Sequence, residues 1–515
     1  MSASKRPRRD SDTRAGEFLE PASASASEHN AQRHSSSTAL RESIGPSPQS
    51  DSSASSRDLT SITSRWFGLL AADVSNANHT FATPLVASRY PRSVGSAHAG
   101  DSPVTLASPA GKNTRQVILR AGSPGPAAAR TTAGQPRVGS AGQLSEGEFI
   151  LMNHFVHNLS TWLDLTDPKR HFSLFVPHLA LHDEGLRKAV LALSARDMTT
   201  NPRRPQAPFS TDFQPDRSMG AEYYHETLQY LQRAMKDEAY LRSDELQCTI
   251  MLLSTYELMD GDGVAWERHL RGAYGVQRSL EINGESGGLK QAIWWSWLRQ
   301  DLWAAYREHR KVYSSFVPTK DYSELDEWGM AERSVYLCCQ CVNYVSSEEV
   351  EAGVKNEAAR VQRGEKLAGQ LDSWLDHLPP HYQQYPSTPG LRIGPFRPIW
   401  IHPPVFGNAL QMHNYARLML LSTKPQSVAD LDGPSHSVLV EAAVDAICGI
   451  AVTIVDDAAS VISSGSVFVA GMYTSCPDKR ATILEILGRY KAQTGFPAND
   501  FRDELRASWA SADAT

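Results

Sequence analysis

Between Ala292 and Arg310 no face of a helix is left polar. Trp294, Trp297, Leu298, Leu302 and Ala305 run along one line, and Trp295, Trp303 and Tyr306 along another. A helix of that kind has to be covered on several sides. The cover this chain offers is more helix, because a 3.6-residue periodicity dominates from about Glu146 onward. Leu186, Ala189, Val190, Ala192 and Leu193 stripe a helix that opens after an N-cap at Asp183. A second opens at Ser243 and Asp244, with Leu246, Ile250, Leu253 and Glu257 on one line and Met251, Leu252 and Met259 on its flanks. Alternating runs bounded by turn signals barely occur, and Ser466 to Val469 is the best strand candidate. The expected fold is therefore all-α, an irregular array of antiparallel helices over residues 146–515.

Two charges sit on the central helix. Arg299 and Asp301 are buried wherever that helix is buried, and an unpaired charge there costs several kcal/mol, so each requires a partner on a neighbouring helix. Being two residues apart, they do not face one another.

Residues 1–145 have a different composition, dominated by Ser, Ala, Pro, Gly and Arg, which buries too little apolar surface to offset chain entropy. A long disordered tail is expected there. It carries 16 Lys/Arg against 10 Asp/Glu, leaving 35 against 47 in the remainder, so a basic tail precedes an acidic body. Lys5, Arg6, Arg8 and Arg9 form a compact basic run, read either as a nuclear-localisation signal or phosphate-contacting arm, or as a solvated basic end. From Leu59 to Val74, the residues Ile62, Trp66, Phe67, Leu69 and Leu70 recur at near-helical spacing, fitting a segment that folds on binding or an apolar patch that docks on the body. Met1 to Asp12 lacks an apolar signal-peptide core, and no run reaches the roughly 18 apolar residues of a membrane span. The six cysteines, Cys248, Cys338, Cys339, Cys341, Cys448 and Cys476, lie mostly in helix-like apolar stretches, as buried thiols in a reducing compartment do.

Motifs for chemistry all carry a plainer reading. Gly284 to Gly288 matches G-x-S-x-G, but that turn works only behind a strand, and here it joins two helices. Asp260-Gly261-Asp262-Gly263 opens like a calcium loop, yet Arg271 stands where the bidentate glutamate belongs, so it reads as a helix-ending turn. His225-Glu226 lacks the second zinc histidine, since position 229 is Gln, and Cys338, Cys339 and Cys341 have no second ligand pair at metal spacing. His269, on one face with Trp266, Leu270 and Ala273, reads as a core histidine with a hydrogen-bonded ring. No catalytic residue, cofactor site or metal site is expected.

A collinear set of segments resembles a known family. Leu159 to Asp167, His171 to Ser173, Val176 to Ala180 and Leu186 to Arg196 resemble the opening of the regulatory domain of fungal zinc-cluster transcription factors. Trp266 to Ala273 is similar to its W-x-x-H-L-x-G-A segment, and Trp297 to Leu302 to its W-x-x-R-Q-D-L segment, with one residue fewer between Trp297 and Arg299. Ala409 to Pro425, Ile447 to Ala451, Val467 to Gly471 and Arg480 to Trp509 follow in order. The resemblance implies an all-helical regulatory domain with no catalytic residues. Its motif residues make sense as architecture: Trp266 and Trp297 as packing anchors, His269 in the core, Gly272 as a close helix contact, Arg299 and Asp301 as buried ions. Members usually carry a six-cysteine zinc cluster whose helix enters the DNA major groove, and this sequence has no cysteine before Cys248. The expectation is a nuclear transcriptional regulator that works with transcriptional proteins and a small-molecule effector. It would reach DNA indirectly, or through a zinc cluster encoded upstream if the chain is a shortened product. The alternative is an all-helical interaction scaffold with no transcriptional role.

Overall fold

The computed structural model describes residues 143–201, 213–261, 263–423, 436–496 and 500–513. The basic run at Lys5, Arg6, Arg8 and Arg9 and the Leu59 to Val74 segment lie outside them. The described residues form 18 α-helices and no β-strand, with one isolated bridge between Ile393 and Phe396.

The helix starts follow local capping chemistry. Helix α1 (Glu146–His154) is opened by a reciprocal box between Ser145 and Glu148, and runs through a π turn (Phe155–Leu159) into α2 (Ser160–Leu163). Two short helices, α3 (His171–Leu174) and α4 (Val176–Ala180), lead to α5 (Glu184–Thr200), where the Asp183 carboxylate accepts from the Leu186 amide at 2.7 Å. Helices α6 (Arg217–Ala234) and α7 (Glu238–Leu241) precede α8 (Asp244–Asp260), which opens on Ser243 and closes on Gly261 at φ 84, a left-handed cap that suits glycine. The turn expected at Asp260 and Gly261 is there. Helix α9 (Gly263–Ser279) packs back on α8 across that short connection, so the two run antiparallel.

The central helix is α10 (Gly288–Arg307), with Trp294, Trp297 and Leu298 at most 2% exposed. It stops three residues short of Arg310, where His309 takes a left-handed φ of 54. Trp303 and Tyr306 are only half-buried, so the second apolar line is the less covered one. Around α10 stand α2, α8, α9 and α11 (Glu327–Val345). The remaining helices are α12 (Ser347–Lys355), α13 (Glu357–Asp376), α14 (Pro404–Thr423), α15 (His436–Ala451), α16 (Asp457–Met472), α17 (Pro477–Thr494) and α18 (Phe501–Asp513). Helix α14 packs on α11, α15 and α16. Its Gln411 ties it to α15 and α16, donating to Ile447 O and Ser463 Oγ, both at 2.9 Å. The main hydrophobic core runs from Met152 to Trp509, and a small second cluster joins Ile150 and Leu151 of α1 to Leu191, Ala195 and Met198 of α5.

One expectation is corrected. Ser466 to Val469 lies inside α16 and is helical. All four residues are buried, so no alternation was available to mark a face, and a short apolar run in a buried helix looks the same as one in a buried strand. Five of the six cysteines sit buried in helices, Cys476 is the half-buried N-cap residue of α17, and all six thiols are free.

Candidate functional site

The motif residues converge on α10. Trp266 of α9 donates its ring N–H to Gln300 Oε1 at 3.2 Å, and the same oxygen accepts from Ser254 Oγ at 2.8 Å. Gln300 Nε2 donates in turn to Thr255 Oγ1 at 2.9 Å, so one amide joins α8, α9 and α10. Trp297 donates to Leu270 O at 3.0 Å and stacks on Tyr274 at 5.4 Å. His269 is fully buried, with Nδ1 2.5 Å from Glu257 Oε1, an oxygen that also accepts from the Tyr224 hydroxyl. Gly272 is half-buried on α9.

Of the two buried charges expected to find partners on neighbouring helices, Arg299 finds its on α2, whereas Asp301 does not. Arg299 has no carboxylate partner among the described residues: it donates to Thr166 Oγ1 at 2.8 Å and to the carbonyls of Leu163 at 2.9 Å and Trp162 at 3.3 Å. These carbonyls close α2, where unpaired C=O groups concentrate negative charge, so a helix end takes the place of a carboxylate. Desolvation lowers Arg299 to about 10, which leaves it protonated. Asp301 is held by Arg310 at 2.9 Å and by the Tyr313 amide at 2.7 Å, both in the segment just beyond its own helix. Burial still pushes its carboxyl up to about 6.

Two hollows border α10. Along its second half a cavity of about 90 Å³ is walled by Trp162, Trp266, Trp303, Met412, Phe496 and Phe501, with Arg299 and Gln300 among its polar lining. Along its first half a cleft of about 380 Å³ is lined by Asp167, Lys169, Gln291, Trp295, Lys320, Trp328 and Glu332. Glu332 Oε2 accepts from Gln291 Nε2 at 3.1 Å, and loss of surrounding water pushes its carboxyl up to about 8. Neither hollow has metal-binding character: among the described residues no group of three His, Cys, Asp or Glu is placed to hold an ion. The Gly284 to Gly288 loop has no strand before it, and Ser286 Oγ accepts from the Asn283 amide at 2.8 Å inside its own turn.

Sequence reasoning found Trp266, His269, Trp297, Arg299 and Asp301, and the structure gathers them around α10. It missed Gln300, Arg310 and Glu332. Only Gln300 carried a signal, as the residue between Arg299 and Asp301; the others acquire their roles through contacts distant in sequence.

No curated protein and no solved structure matches the chain. The fungal specific transcription factor domain matches residues 149–515, from the first turn of α1 onward. No described helix is long and apolar enough to cross a membrane. The matched span contains every described helix that shapes α10 and its two hollows, and the chain therefore belongs to the fungal specific transcription factor domain family.

Proposed function

We propose that this chain is a nuclear transcriptional regulator whose helical domain, residues 146–515, works through transcriptional partners, and whose residues 1–145 supply localisation. The observation that carries the reading is the family match over 149–515. The charge balance supports it. A segment with 35 Lys/Arg against 47 Asp/Glu is repelled by phosphate, so the helical domain is suited to proteins or small effectors rather than to lying on DNA. Five of the six cysteines of this sequence are buried in helices, Cys338, Cys339 and Cys341 together in α11, and none has zinc-cluster spacing, so in this reading base recognition falls to a partner or to a cluster encoded upstream. Lys5, Arg6, Arg8 and Arg9 are the import residues in this reading. Fluorescently tagged full chain is expected in the nucleus, and replacing those four residues by Ala is expected to shift it to the cytosol. A cytosolic wild-type protein whose deletion changes no transcript would overturn the proposal.

A further inference from the structure

We propose that the cleft along the first half of α10 binds a small organic monocation, an amine whose ammonium group meets the Glu332 carboxylate and whose apolar body lies against Trp295, Phe316 and Trp328. All four residues line the cleft. Its volume of about 380 Å³ falls within the roughly 300–1,000 Å³ of small-molecule sites, which combine apolar walls with a few polar groups.

Glu332 is treated differently from the other carboxylates of the lining. Asp167 accepts from the amides of Lys169 and His171, Asp326 from the Gly329 amide, Glu324 from the Asp321 amide, and Glu285 from the Thr319 amide and hydroxyl. Each of those four is spent on fastening backbone. Glu332 accepts from one side-chain group, Gln291 Nε2 at 3.1 Å, although a carboxylate has room for about four hydrogen bonds. It keeps accessible surface and forms no ion pair among the described residues. The buried cation whose charge reaches it, Arg299, has turned its donors to Thr166 and to the end of α2, while Asp167 and Asp326 add negative charge around it. A carboxyl so placed holds its proton to about pH 8. An ammonium group supplies what the site lacks, a charged donor for the carboxylate and a cation for the aromatic faces.

The class of ligand follows from the rest of the lining. Five carboxylates against Lys169, Lys320 and Arg333 leave the cleft negative, which favours a cation over an anion. The same three basic residues oppose a second positive charge, so the ligand is a monoamine. It is organic, because no group of three His, Cys, Asp or Glu among the described residues is placed to hold a metal ion. On binding, the Glu332 proton passes to solvent. A role for the amine as an effector rests on the transcriptional reading above. Its binding does not, and is measured on purified full-length chain wherever that chain resides in the cell.

The test is isothermal titration calorimetry with benzylamine, cyclohexylamine, benzyl alcohol and benzoate. At pH 8 both amines are expected to bind, benzyl alcohol at least about tenfold more weakly for want of the charge, and benzoate not at all. Glu332→Gln keeps an acceptor for Gln291 and should weaken both amines about ten- to hundredfold, the worth of a charged hydrogen bond, while leaving benzyl alcohol unchanged. At pH 6 the wild-type chain should bind the amines about tenfold or more weakly than at pH 8, because the carboxyl then holds its proton, and the Gln variant should lose that dependence. Trp328→Ala should weaken amines and alcohol alike, and its melting curve shows whether it folds. Absence of binding by both amines to the wild-type chain overturns the proposal, as does amine binding unchanged in Glu332→Gln. Benzyl alcohol or benzoate binding as tightly as benzylamine overturns the cationic class.

Discussion

The residue scale is where this domain takes its largest risks, because it buries ionisable groups beside α10. Asp301 has a folded-state value of about 6 against an ordinary 3.8. A raised carboxyl favours folding fully below the lower value, and that contribution is lost as pH rises through about 6. Arg310 is what limits the cost above that point. Arg310→Ala is expected to destabilise by about 3–5 kcal/mol at pH 8, where a buried carboxylate loses its partner, and by clearly less at pH 5, where Asp301 takes up a proton. Urea unfolding at the two pH values measures the difference; equal losses would mean the pair matters only through packing. Glu332 follows the same sign over a wider window, from an ordinary 4.5 to about 8. Glu332→Gln keeps an acceptor for Gln291 and removes the ionisation. The variant should match wild type near pH 5, exceed it above pH 8 and flatten the profile between, as read by melting temperature against pH.

At the scale of the element, the helix starts were legible because capping is local chemistry. Asp183 and Ser243 both do what their positions announce, yet they are not equivalent. Ser243 Oγ accepts from the Leu246 amide at 3.1 Å, whereas Asp183 caps α5 and also accepts from the Tyr230 hydroxyl at 2.8 Å, fastening α6 to the start of α5. Ser243→Ala should therefore cost about 1 kcal/mol, and Asp183→Ala noticeably more, because it also strands a half-buried phenol. Chemical denaturation of the two variants side by side decides it. The end of α10 was less legible: the apolar pattern continues to Arg310, but the chain turns left-handed at His309 so that Arg310 can return to Asp301. In α16 the pattern misled outright, since all four residues from Ser466 to Val469 are buried and a stretch covered on every side has no period to read.

At the scale of the whole molecule, Trp297 shows how the domain is integrated. It is fully buried, hydrogen-bonded to Leu270 O and stacked on Tyr274, within a core that reaches from Met152 to Trp509. Trp297→Ala should cost about 3–5 kcal/mol. With one main core, the loss should appear everywhere at once: circular dichroism and tryptophan fluorescence are expected to melt together in both wild type and variant. Separate transitions would mean that the C-terminal helices α14 to α18 unfold independently of α10.

The sequence by itself determined that the chain builds helices, where many begin, that one of them is central, and that Arg299 and Asp301 need compensation. These follow from periodicity, capping and the cost of burying charge, all of which act within a few residues or on a residue's own chemistry. Only the tertiary structure decided that Arg299 would be met by the carbonyl end of α2, 136 residues away in sequence at Leu163, and that Asp301 would be met by the segment following its own helix. No local pattern encodes such pairings, because a buried donor or acceptor is satisfied by whatever the packing of distant helices brings within 3 Å.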